Sequence, residues 1–80
     1  MSVNLTLKYA SGKAIGEVLD ELSKYKQWLG EFTLTMQYSA MFYIPFNSEE
    51  KAREFYEWAK NRSDLFFDVQ FKPLTKKSVN

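Results

Sequence analysis

The acidic side chains are the first candidates for chemistry, because the chain contains no histidine and no cysteine. Without those two types the commonest general base, the usual pH switch, a thiol nucleophile, disulfides and thiolate zinc sites are all excluded. Carboxylates, lysines, tyrosines and hydroxyls remain. Seven of the ten acids fall into two groups, Glu17, Asp20 and Glu21, then Glu49, Glu50, Glu54 and Glu57. Nearly all have a basic residue three or four positions away, such as Lys13 for Glu17, Lys24 for Asp20 and Arg53 for Glu49 and Glu57. That spacing describes the solvated, ion-paired face of a helix better than an acid/base pair. No spacing matches a calcium loop, and neither a metal nor another cofactor is expected. Ser11-Gly12-Lys13 stands where a phosphate loop would open a helix. Leu7, however, occupies the place of the required upstream glycine, and Ala14 that of the Ser/Thr. Ser11 reads as a helix N-cap instead. The expectation is a protein with no catalytic residue, not an enzyme.

Aromatic side chains are the second resource, with seven Phe, five Tyr and two Trp among 80 residues. The stretch at 39–46, Ser-Ala-Met-Phe-Tyr-Ile-Pro-Phe, concentrates them. As a strand it sends Phe42, Ile44 and Phe46 to one face and Met41 and Tyr43 to the other. The first set reads as core and the second as a candidate contact surface. Trp28 and Trp58 fall off the buried stripes of their helices, and tryptophan is enriched in interface hot spots.

The elements that must position these residues follow from periodicity. Val3, Leu5, Leu7 and Tyr9 alternate with polar residues and give a half-buried strand. Residues 13–29 carry Ile15, Val18, Leu19, Leu22 and Leu29 at helical spacing, with Tyr25 at the edge and Gly30 as the stop. Phe32, Leu34, Met36 and Tyr38 alternate as a second strand, with 39–46 as a third. Tyr38-Ser39-Ala40 lacks a strong turn signal, so it either turns a hairpin or continues one long bent strand. Asn47 is expected to cap a second helix that buries Ala52, Phe55, Tyr56 and Ala59. Residues 65–72 form the last strand, with Phe67, Val69 and Phe71 inward and Phe66, Asp68, Gln70 and Lys72 outward. Pro73 stops it.

The order β-α-β-β-α-β is that of a ferredoxin-like α+β domain, a four-stranded antiparallel sheet with both helices on one face. A three-stranded β-α-β-α-β layout is the alternative if residues 38–40 do not turn. Residues 1–73 are expected to form this single domain, and 74–80 a mobile tail. Pro45 belongs at the end of its strand, because it cannot donate to the ladder.

The topology resembles that of RNA-recognition-motif domains, which stack bases on aromatic residues of the central strands. Tyr43, Ile44 and Phe46 fit the RNP1 octet. Ser39 replaces its basic residue, Ala40 its glycine, Met41 an aromatic and Phe42 a small residue, and Thr6 stands where RNP2 carries an aromatic. The resemblance implies single-stranded RNA or DNA binding, with Tyr43 stacking and Lys8 and Lys72 near phosphates. Eleven basic against ten acidic residues, a net charge of +1, do not make the footprint of a phosphate-binding surface. The leading expectation is therefore a small non-enzymatic protein that docks on another protein and inhibits it. The contact would use the open sheet face (Met41, Tyr43, Phe66) or the helical side bearing Trp28 and Trp58. Self-association through the sheet face is a variant. In size and lack of chemistry the chain is similar to phage-encoded accessory and inhibitor proteins, anti-CRISPR proteins among them.

A composition of 45% hydrophobic and 26% charged residues suits a soluble globular domain rather than a disordered chain. The start, Met-Ser-Val-Asn-Leu-Thr, lacks a signal-peptide apolar run, so a cytoplasmic protein with no membrane partner is expected, and the triplets Asn4-Leu5-Thr6 and Asn61-Arg62-Ser63 read as chance rather than glycosylation sites.

Overall fold

Alternating Val3, Leu5 and Leu7 build the strand on which the rest of the structure is laid. A computed structural model of the chain describes residues 1–73, and the expected tail at 74–80 falls outside the described residues. In β1 (Ser2–Leu7) those three side chains are all buried. Tyr9, expected as a fourth inward residue, is exposed, because the strand has already ended at Leu7.

The first helix, α1 (Gly12–Leu22), is capped as anticipated. The Ser11 hydroxyl accepts the backbone N–H of Ala14 at 3.1 Å. It ends well short of Leu29. Ser23 closes it by donating its hydroxyl to the Asp20 carbonyl at 2.6 Å, and a 3-10 segment, Ser23–Trp28, follows with Tyr25 out of helical conformation. The buried line is Ala14, Val18, Leu22 and Tyr25, turned by one position from the expected stripe, which leaves Leu19 exposed. Gly30 is no helix stop of the left-handed kind, since no glycine has positive φ. It serves a close approach. Its N–H donates to the Pro45 carbonyl at 2.8 Å, and a Cβ there would lie 3.0 Å from the Pro45 ring.

Residues 36–40 do turn, and β2 (Thr33–Thr35) pairs with β3 (Met41–Pro45) as a hairpin. Only three residues of the expected second strand are in register. Leu34, Met36 and Tyr38, assigned to the core by alternation, are exposed, because β2 is a short edge strand and the last two belong to the turn. In β3, Phe42 and Ile44 are buried, as is Phe46 just beyond it, and Pro45 is the last residue of the strand. The sheet order is β2-β3-β1-β4 with antiparallel pairing throughout, the ferredoxin-like arrangement.

Ser48, not Asn47, caps α2 (Glu49–Lys60), accepting the N–H of Lys51 at 3.3 Å. Asn47 is engaged elsewhere, donating its backbone N–H to the Trp28 carbonyl at 2.8 Å. Glu49 and Glu50 occupy the first turn, where the helix dipole favours them. The helix buries Ala52, Phe55 and Ala59. Phe55 is the centre of the aromatic core, with Tyr25 and Phe46 rings at 5.8 Å and Trp58 at 5.4 Å. Complete burial of a ring of this size contributes about 1.5–3 kcal/mol.

The last strand, β4 (Phe66–Lys72), changes phase once. Thr6 pairs with Asp68 and Leu7 with Phe66, so Phe67 is an extra residue on the β4 side of the ladder. Phe66 therefore joins Val69 and Phe71 on the helix-facing side. This reverses the expectation for both phenylalanines: Phe66 is 4% exposed and Phe67 is 77% exposed.

Candidate binding surface

Two transverse rows cross the uncovered side of the sheet, Thr33–Tyr43–Asn4–Gln70 and Thr35–Met41–Thr6–Asp68. The strand pairing thus places Tyr43 and Met41 near the middle, 50% and 45% exposed, on the strand next to β1. Around Asn4 the surface is polar. Its Oδ1 is buried and has no hydrogen-bond partner among the described residues, an unsatisfied acceptor of the kind native folds keep few of. Gln70 donates its carboxamide to Asp68 at 2.9 Å.

At one end of this side, Thr6, Leu7, Lys8, Tyr9, Ser39 and Phe67 line an open groove of about 520 Å³. Phe67 and Tyr9 contribute rings that alternation had assigned to the core. The signal for Phe67 was the unbroken run Leu65-Phe66-Phe67, in which a period of two has no defined phase. Tyr38, in the adjoining turn, is 95% exposed.

The five residues expected to bind protein do not form one site. Met41 and Tyr43 share the open face. Phe66 is core, because of the extra residue in β4. Trp28 and Trp58 lie on the helical side and are partly buried against the core. Trp58 packs on Phe55 and, edge to face, on Phe66 at 5.9 Å, and the Arg62 guanidinium lies 5.8 Å from its ring. The Trp28 ring carries the Lys51 ammonium at 4.6 Å. Each indole covers the rim of the core rather than standing free as a contact residue.

The residues expected to bind nucleic acid are also separated. Lys72 pairs opposite Ser2, whereas Lys8 follows the far end of β1. Six residues of extended chain put the two backbones roughly 20 Å apart. Asp68 stands between them on the same face, opposite Thr6.

The charged residues form ion pairs on the helical side. Arg53 bonds Glu49 at 2.9 Å, Lys24 bonds Glu21 at 3.0 Å and Lys51 bonds Glu54 at 3.4 Å. Glu17 turns from Lys13 to Arg62, at 2.8 Å, which also holds Asp64 at 3.0 Å. These hydrogen bonds hold the Asp64 carboxyl below its ordinary value and the Arg62 guanidinium above its own. Burial, followed by the charges of Glu21 and Glu54, raises the Tyr25 phenol. Among the described residues no group of three or more His, Cys, Asp or Glu is placed to hold a metal, and no helix is long and apolar enough to cross a membrane. No family model, curated protein or solved structure matches the chain.

Proposed function

We propose that the chain is a small non-enzymatic protein that docks on another protein through its open sheet face and blocks the surface it covers. The observation that carries this reading is the gathering of exposed apolar side chains on one side: Met41 and Tyr43 on β3, and Phe67 and Tyr9 at the adjoining groove. Solvent-facing apolar groups that cluster, rather than scatter, mark interaction sites. The proposed partner surface is apolar at its centre. Inhibition in a host cytoplasm rests on the general likeness to phage accessory and inhibitor proteins.

The test is affinity capture from the native host's lysate with the wild-type chain and with Met41→Ser/Tyr43→Ser/Phe67→Ser. The three substitutions touch no buried side chain, so the variant should stay folded, each change costing within about 0.5 kcal/mol. A protein captured by the wild type, retained after nuclease and at high salt, and lost with the triple variant is the expected result. A folded triple variant that still captures the same protein would overturn the proposal. Capture that disappears with nuclease or falls steeply with salt would replace it with single-stranded nucleic-acid binding.

A further inference from the structure

The two edges of the sheet are unlike. β2 ends one edge with three residues, whereas β4 ends the other with seven, and among the described residues no strand pairs with its outer side. A long free edge is a template for another strand.

Which β4 groups point outward follows from the ladder. The Leu7 N–H donates to Ala40, toward β3, and the Lys8 N–H to Leu65, toward β4. Alternate residues of a strand bond to opposite sides, so Ser2, Asn4 and Thr6 serve β4, and their partners Lys72, Gln70 and Asp68 point back at β1. Val69 and Phe71 therefore present their N–H and C=O groups to the outside.

A second copy of the same strand, running antiparallel, meets those groups without moving any side chain to the wrong face only in registers that match outward residues with outward residues. Pairing about Gln70 does so, with Val69 opposite Phe71 twice. It also sets Asp68 opposite the partner's Lys72 at both ends. Pairing about Val69 would bring the extra residue Phe67 into the ladder. Among the described residues neither Asp68 nor Lys72 is in an ion pair. The apolar side agrees. Val69 and Phe71 are half-buried, whereas their β1 neighbours Leu5 and Val3 are fully buried, and Phe71 packs under α2 against the Tyr56 ring at 5.6 Å and the Arg53 guanidinium at 4.8 Å.

We infer that the chain forms a twofold dimer through the outer edges of two β4 strands, registered by reciprocal pairing of Asp68 with Lys72. The result is one eight-stranded sheet that presents two copies of the open face on the same side. The inference uses only the edge and does not rest on what the open face binds.

Sedimentation velocity over a concentration series tests it, with the wild type, Asp68→Lys, Lys72→Asp and an equimolar mixture of the two variants. Each reversal puts like charges opposite each other twice, and dimerisation should weaken roughly tenfold or more. The mixture should restore it, because one variant supplies two lysines and the other two aspartates across the same seam. Tyr43→Ala should dimerise as the wild type does. A wild type that stays monomeric at the concentrations of an NMR sample would overturn the inference. So would a dimer indifferent to both reversals, or one lost with Tyr43→Ala, which would place the contact on the open face.

Discussion

The two faces of β3 come from one five-residue strand and share one backbone, yet they do opposite things. Phe42 and Ile44 are sealed beneath two helices, among Val3, Leu5, Val18 and Phe55. Met41 and Tyr43, the residues between and beside them, face a side that no element covers among the described residues. The covered face is apolar because it must be: aromatic rings at 5.4 to 5.9 Å fill the layer without disulfides. The open face has no such obligation. Its apolar residues stand among threonines, Asn4 and Gln70, and they add nothing to the core. Apolar residues without a packing role are the ones to assign to contact.

The largest effect should come from the middle of the covered face. Phe55→Ala removes the ring that Tyr25, Phe46 and Trp58 all pack on, with no solvent access to soften the loss. It is expected to cost about 3–5 kcal/mol in urea unfolding. For so small a domain that would bring the unfolded state into view at room temperature. A cost near that of a surface substitution would mean that the helical layer is not the core.

Phe66 and Phe67 sharpen the contrast within two adjacent residues of one type. Phe66→Ala is expected to destabilise by about 3 kcal/mol or more, and Phe67→Ala by no more than about 0.5 kcal/mol. The same urea titration reads both. Equal costs would place the extra residue of β4 elsewhere, and with it the groove lined by Phe67.

This pair also shows where sequence ceases to inform. Strict alternation was legible in β1 and β3, and with two amphipathic helices it was enough for the ferredoxin-like order. In β1 the polar Asn4 and Thr6 interrupt the apolar residues and fix the phase. Leu65-Phe66-Phe67 has no polar residue to fix it, and one extra residue in the ladder reverses the two rings. The same blindness applies to Met36 and Tyr38, which continue the alternating pattern into a turn, and to Tyr9, which continues it past the end of β1. Phe67, Met36, Tyr38 and Tyr9 were all read as inward-facing, and all four are solvent-facing. Met41 and Tyr43 were legible as surface because their alternates, Phe42 and Ile44, found a helical layer to meet. The starts of the two helices were legible to within a residue, with Ser11 read as the first cap and Ser48 taking the place expected of Asn47. The break at Ser23 was not, because the apolar spacing runs on through Tyr25 after the helical hydrogen bonds have stopped.

The smallest expected effect concerns the polar rim that ties the covered layer together. Arg62 reaches Glu17 on α1 and Asp64 ahead of β4, and its guanidinium lies near the Trp58 ring. Its hydrogen bonds hold the Asp64 carboxyl below its ordinary 3.8. A depressed carboxyl contributes stability that is fully present above the unfolded value and is lost as pH falls through the folded one. Asp64→Asn should therefore lower Tm slightly at neutral pH, where the wild type has the charge. The difference between the two Tm curves should close as pH drops below roughly 4, where the wild-type carboxyl takes up its proton. Thermal scans by circular dichroism across that range report it directly. A difference that persists unchanged into strong acid would show that Asp64 acts through geometry alone. The rim would then be held by the Glu17–Arg62 bond and the indole, and the covered face would owe nothing to the charge of Asp64.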